Sequence, residues 1–106
     1  MLHVRVMGIS IDPGLSAVFK ALSDDTRLLV LEELRKRDNQ SLFEICVRVI
    51  EQHDLSLSRQ ALSRHLNVLE AAGLITTEWS GRTKVHTLNR TPIGDHIQPW
   101  MKPFLE

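Results

Sequence analysis

Cys46 is the only cysteine in the chain, so no disulfide can form within it. A lone thiol fits a reducing compartment, and the fold has to rest on packing alone. Tyrosine is absent and aromatic residues make up only 5% of the sequence, which leaves the core to aliphatic side chains. The fully apolar runs are short, as at Leu28 to Leu31, whereas a membrane span needs about 20 such residues. The N-terminus carries no apolar core followed by small residues of the kind a secretory signal uses, so a cytoplasmic location is expected. The five glycines are unclustered, which excludes a phosphate-cradling glycine loop. Neither a nucleophile elbow nor an H-E-x-x-H pair occurs, and no enzymatic activity is expected. Charge of one sign is also lacking: 13 basic residues balance 13 acidic ones.

That neutrality counts mildly against a polyanionic partner, but the charges are unevenly spread. Residues 1–57 carry seven basic and nine acidic side chains, a net of −2. Residues 58–90 carry Arg59, Arg64, Arg82, Lys84 and Arg90 against Glu70 and Glu78, a net of +3. Residues 91–106 return to −1. A local basic footprint is what a nucleic-acid surface requires. At 106 residues the chain is expected to form one domain over 12–106, preceded by a short segment, 1–11. In that segment Leu2, Val4 and Val6 alternate with His3, Arg5 and Met7, a strand period that suits an edge strand, an arm or a frayed tail.

The most informative stretch runs from Leu57 to Leu74. Ser58 is a good N-cap, Leu62, Leu66 and Leu69 form one helical stripe, and Gly73 suits a left-handed stop. Gln60, Ser63, Arg64 and Asn67 then fall on the opposite side, with no acid among them. Arg suits guanine, Asn and Gln suit adenine, and Ser suits either base or a phosphate. The spacing therefore predicts a DNA recognition helix.

The other elements support it. Asp12-Pro13 opens a first helix with Leu15, Val18, Phe19 and Leu22 on one face. Ser23, Asp24 and Asp25 offer an N-cap and acids for a second, running to about Arg37 with Leu28, Leu31 and Leu34 inward. Arg35, Lys36 and Arg37 at its end suit the helix dipole. Asp38-Asn39-Gln40 reads as a turn. Ser41 and Glu44 form a capping box for a third helix, apolar over Leu42, Ile45, Cys46, Val49 and Ile50. After Gly73 the period changes: residues 74–79 and 83–88 alternate as strands joined at Ser80-Gly81-Arg82. From Asn89 a last helix carries Ile93, Ile97, Trp100, Met101 and Phe104, interrupted by Pro99 and Pro103, where a kink or early stop is expected. The expected fold is mostly α with a small β-hairpin wing, in the order α-α-α-α-β-β-α: a winged helix-turn-helix.

The segments AVFKALSDDTRLLVLEEL and SRQALSRHLNVLEAAGLI, with the Ser80-Gly81-Arg82 wing, resemble the ArsR-type transcriptional repressors over roughly residues 16–100. That resemblance implies a homodimeric winged helix that represses by occupying a palindromic operator, with the first and last helices forming the dimer interface. The family's metal sites do not carry over. Ser41 and Phe43 stand where one uses a Cys-x-Cys pair; Arg90, Pro92, Pro103 and Glu106 stand where another draws its ligands, leaving one carboxylate.

The expected DNA-contacting residues are thus Ser58, Arg59, Gln60, Ser63, Arg64, His65 and Asn67 from the helix, with Arg82 and Lys84 holding phosphates from the wing. The expected dimer surface is Leu15, Val18, Phe19, Ile93, Ile97, Trp100, Met101 and Phe104. The partners are double-stranded DNA and a second copy of the chain. No cofactor and no metal site is expected: the five histidines (His3, His53, His65, His86 and His96) include no i,i+4 pair, and only a subunit-bridging site at Asp95 or His96 stays open. Cys46 reads as a core residue rather than a sensor, with no basic residue evidently placed to activate it. Glu32-Glu33 reads as a solvated face. The rival function is a winged helix that docks protein without binding DNA. A docking face should carry aromatics, and only Trp79 favours it; that indole could stack on sugar or protein, or fold back on its strand pair.

Overall fold

A computed structural model describes residues 4–6 and 9–106. Of the N-terminal strand expectation, Leu2, His3 and Met7 lie outside the described residues. The remainder forms two short strands, β1 (Val4–Val6) and β2 (Ile9–Ile11), which pair antiparallel with each other.

Four helices follow. In α1 (Pro13–Leu22) the Asp12 carboxylate accepts from the Gly14 N–H at 2.9 Å, with Pro13 in the first turn. In α2 (Asp25–Lys36) the Asp24 carboxylate accepts from the Arg27 N–H at 3.1 Å. The first helix closes where the Ser23 hydroxyl donates to the Lys20 carbonyl at 2.7 Å. The third helix, α3 (Leu42–Cys46), has the full capping box between Ser41 and Glu44 and continues as a wider π turn over Val47–Glu51. The fourth, α4 (Arg59–Ala71), is capped by Ser58, whose hydroxyl accepts from the Ala61 N–H at 3.0 Å. Gly73, at φ 77°, takes the left-handed conformation that ends α4.

The wing is a hairpin of β4 (Ile75–Ser80) and β5 (Thr83–Leu88). Ser80 pairs with Thr83, so the loop is the two residues Gly81 and Arg82. Gly81 comes first, at φ 64°, as a type II′ turn demands. The sheet has a third strand that the sequence pattern did not reveal, β3 (Gln40–Ser41), in the order β3-β5-β4. Gln40 is therefore not part of a surface turn. It is fully buried, and its side-chain amide donates to the Glu33 and Arg37 carbonyls at 3.1 and 2.6 Å, closing the end of α2. Its own carbonyl accepts from His86 Nδ1 at 2.9 Å. The turn proper passes through Asn39 at φ 58°, where Asn is one of the few tolerated residues.

The core gathers Leu15, Val18 and Ala21 of α1, Val30 and Leu34 of α2, Ile45 and Val49 of α3, the three stripe leucines of α4, and Leu74 and Ile75. On α2 the inward face is rotated from the expected one. Val30 and Leu34 are buried, whereas Leu28 is 43% exposed. The face turns because Glu33 goes inward, against expectation: it is 4% exposed and lies 3.5 Å from Lys36, 3.7 Å from Arg48 and 3.4 Å from His53. A buried carboxylate needs such partners.

The last helix, α5, neither stops nor breaks at its prolines. It changes pitch instead: a π turn over Ile93–Ile97, an α turn over Gln98–Met101 and a 3₁₀ turn over Lys102–Leu105. The Gln98 N–H reaches back five residues to the Ile93 carbonyl, so the widened turn comes where Pro99 offers no donor. Asn89 anchors the start of α5: its side-chain amide donates to the Gly73 carbonyl at 2.8 Å and its side-chain oxygen accepts from the Thr91 N–H at 3.2 Å. His96 pairs with Asp12 Oδ2 at 2.5 Å and packs on Gly14, where a Cβ would sit 3.0 Å from the ring. That contact explains a glycine near the start of a helix.

Candidate nucleic-acid interface

The leucine stripe of α4 faces the core, and Leu62, Leu66 and Leu69 are all buried. Gln60, Arg64 and Asn67 are therefore on the exposed side, with Ser63 half-buried beside them. None of the four makes a side-chain hydrogen bond or ion pair with the described residues. Their donors and acceptors are available to a ligand.

Three other expected contact residues have employment within the chain. Ser58 caps α4. His65 is half-buried and turned toward α2: its Nδ1 lies 3.1 Å from the Arg27 guanidinium and 3.8 Å from Asp24 Oδ1. Arg27 in turn donates through Nε to the Ala21 carbonyl at 2.6 Å, so the recognition helix is tied to the α1–α2 corner. Arg59 is exposed but lies beside the Cys46 thiol, within hydrogen-bonding reach. This corrects the expectation that no cation stands near Cys46. Burial nevertheless pushes the thiol pKa up, and the pull of Arg59 in the other direction does not reverse it. Cys46 is a buried, protonated core residue.

The wing projects Arg82 and Lys84 into solvent, neither with an ion-pair partner among the described residues. Between the wing and α4 lies a cleft of about 360 Å³, lined by Ser63 and Asn67 on one side and by Trp79, Arg82 and Lys84 on the other. Trp79 is 70% exposed, so it does not fold back on the strands. Phe43, at 66% exposure, borders the same cleft from α3. Sequence reasoning assigned Phe43 no role at the site. Its exposure was nonetheless legible, because it falls off the stripe formed by Leu42, Ile45, Cys46 and Val49.

The expected dimer residues divide into two groups. Leu15, Val18 and Ile97 are buried in this chain's own core and have no surface left to offer. Phe19 is partly buried and meets Trp100 edge-on, ring centroids 5.5 Å apart. Trp100 packs in turn on Phe104 at 4.8 Å. Trp100, Met101, Phe104 and Leu105 remain exposed as a continuous apolar belt on α5, with Ile93 exposed one turn or more before it. Among the described residues no three His, Cys, Asp or Glu side chains come together as metal ligands, and no helix is long and apolar enough to cross a membrane.

Comparison with known proteins agrees with this geometry. A family profile described as a helix-turn-helix domain matches residues 22–78, from the end of α1 into β4. YuzN, an uncharacterized HTH-type transcriptional regulator of Bacillus subtilis (strain 168), is 43% identical over 86 residues, covering 81% of this chain and 94% of that protein. The transcriptional repressor SdpR of the same organism is 34% identical over 88 residues, covering 83% and 89%. Among solved structures, an ArsR-like transcriptional regulator from Rhodococcus sp. RHA1 matches with a TM-score of 0.71 at 33% identity, covering 87% of this chain and 80% of that one. With the helical core, the hairpin wing and the polar face of α4 in place, the chain belongs to the ArsR-type winged helix-turn-helix family of DNA-binding transcriptional regulators, which are not enzymes.

Proposed function

We propose that the chain is a homodimeric repressor that occupies a palindromic operator. The observation that carries this reading is the exposed side of α4, where Gln60, Arg64 and Asn67 stand unpartnered beside a wing that offers Arg82 and Lys84. Gln60, Ser63, Arg64 and Asn67 read base edges in the major groove, and Arg59, Arg82 and Lys84 hold phosphates. Ser58 and His65 act by positioning, the first through the cap and the second through its contact with Arg27. Kinship with a transcriptional repressor supports repression, by occupying DNA that polymerase needs.

The two-fold partner is a second copy joined through α5. Phe104 is 72% exposed at the centre of an aromatic and aliphatic belt that is costly to leave in water. Phe19, Ile93, Trp100 and Met101 complete that surface. Two copies of α4 then enter successive major grooves about 34 Å apart, and the half-sites follow the two-fold symmetry. An electrophoretic shift on DNA upstream of the chain's own gene tests the whole reading. Gln60→Ala and Asn67→Ala relax sequence preference by about 1–3 kcal/mol per lost bidentate contact. Phe104→Asp gives a monomer by sedimentation that no longer discriminates a palindrome from one half-site. A shift that is equally strong on any duplex, for parent and variants alike, rejects sequence-specific recognition.

A further inference from the structure

We infer that the cleft between α4 and the wing grips one sugar–phosphate strand of the duplex, with the Trp79 indole packed against deoxyribose; this rests on α4 being the recognition helix. The strand alternation fixes where the indole points. Ile75, Thr77 and Trp79 share one face of β4 and pair across the hairpin with Leu88, His86 and Lys84. Ile75 and His86 on that face are buried against the body of the protein. Trp79 and Lys84 continue the same face past the edge of the core, overhanging the cleft beside Ser63 and Asn67. The outer face of the wing carries Thr76, Glu78 and Ser80 instead.

The composition of the cleft matches a strand in which phosphates alternate with sugars. Each phosphate calls for a cation, here Arg82 and Lys84, while Ser63 and Asn67 face the bases from the α4 side of the cleft. Each deoxyribose offers an apolar carbon face, here met by Trp79 on one lip and Phe43 on the other. The single acid of the cleft, Glu70, is one turn farther along α4 and accepts a hydrogen bond from the Thr77 hydroxyl at 2.8 Å. The geometry of docking requires such a strand. A helix in the major groove and a wing reaching toward the adjacent minor groove have one backbone strand between them. The indole therefore adds a contact to binding that releases no counterion.

Hydroxyl-radical footprinting tests this directly, because the radical attacks deoxyribose. The parent chain, Trp79→Ala and Trp79→Phe are compared on DNA upstream of the gene, with guanine N7 methylation reporting the major groove. Thermal midpoints check that the exposed substitution leaves the fold intact. Trp79→Ala is expected to bind roughly tenfold more weakly, the loss of an aromatic contact in each of two copies, with an unchanged salt slope. Its complex regains cleavage at sugars of the strand flanking the protected major groove, while the methylation protection persists. Trp79→Phe keeps both affinity and sugar protection. If Trp79→Ala gives the parent footprint and affinity, the inference fails and the repressor reading stands. If the parent protects neither sugars nor guanines at any salt concentration, both fail, and the exposed aromatics belong to a protein-docking surface.

Discussion

Arg82 allows the DNA reading to be tested without disturbing the fold. It is the second residue of the Gly81-Arg82 loop, its backbone is outside the left-handed region, and its side chain has no partner among the described residues. Alanine is tolerated there, and the thermal midpoint is expected to stay within experimental error of the parent. The effect on binding follows from counterion release, in which the slope of log K against log salt changes by about 0.9 for each phosphate contact on B-form DNA. A dimer loses two such contacts, so the slope becomes shallower by about 1.8. From 50 to 200 mM salt, a fourfold change, the parent should lose about twelvefold more affinity than Arg82→Ala. A chain that binds as a monomer would show a change of only about 0.9, and a ratio of about 3.5 over the same range. Fluorescence anisotropy of an end-labelled duplex, titrated at several salt concentrations, measures both quantities. An unchanged slope with an unchanged midpoint would show that the wing does not touch phosphate, and the placement of α4 in the groove would lose its second support.

Other substitutions address the scaffold. Leu62 is fully buried at the centre of the α4 stripe, so Leu62→Ala is expected to lower unfolding free energy by about 2–5 kcal/mol in urea titrations. A loss under about 1 kcal/mol would mean that α4 does not pack on this core. Asp24 caps α2: burial alone would raise its carboxyl pKa, but the bond from the Arg27 N–H and the nearby His65 and Arg27 charges hold it below the usual carboxylate range. Because the folded value is the lower one, its contribution is complete above the unfolded pKa and disappears as pH falls through the folded one. Asp24→Ala should cost about 1 kcal/mol at neutral pH, and the difference in melting temperature from the parent should close in strong acid. Cys46, with its thiol pushed toward the protonated form, should react with thiol reagents at the rate of global opening; modification at the rate of a free thiol would contradict its burial.

Local signals carried most of the architecture. Both aspartate caps, the Ser41–Glu44 box, the Ser58 cap and the two left-handed glycines are short-range features, written within a few residues of where they act. The misreadings concern choices that only distant residues decide. Gln40 joins a sheet because His86, 46 positions later, presents a donor to its carbonyl. Glu33 turns inward because Arg48 from the next helix and His53 from the turn after it arrive to meet it. With Glu33 inside, the apolar face of α2 rotates toward Val30 and away from Leu28. Three residues of the expected dimer surface lie instead in the chain's own core for a similar reason. Helical spacing marks Leu15, Val18 and Ile97 as apolar-facing, but spacing does not say whether the facing surface belongs to the same chain. The candidate site read more clearly, since an exposed polar face is defined by its own helix and by the stripe it opposes.

Zero net charge, the one global property that spoke against a DNA partner, loses its force once the charges are located. From the end of α2 through α3 the basic side chains are already matched: Arg35 with Glu32 at 2.9 Å, Lys36 and Arg48 with Glu33, and Arg37 with Glu44 at 3.6 Å. Other acids are engaged locally, Asp12 and Asp24 as caps and Glu44 also in its capping box. Cancellation over such distances leaves little field beyond a Debye length of about 8 Å at physiological salt. Arg64, Arg82 and Lys84 have no such partner among the described residues, so their charge is not cancelled at the surface they share. The neutrality of the chain is the sum of a net +3 over residues 58–90 and a net −3 over the rest. A duplex approaching α4 and the wing meets these cations together with Arg59, which also has no ion-pair partner among the described residues, and the sum over the whole molecule does not enter that encounter.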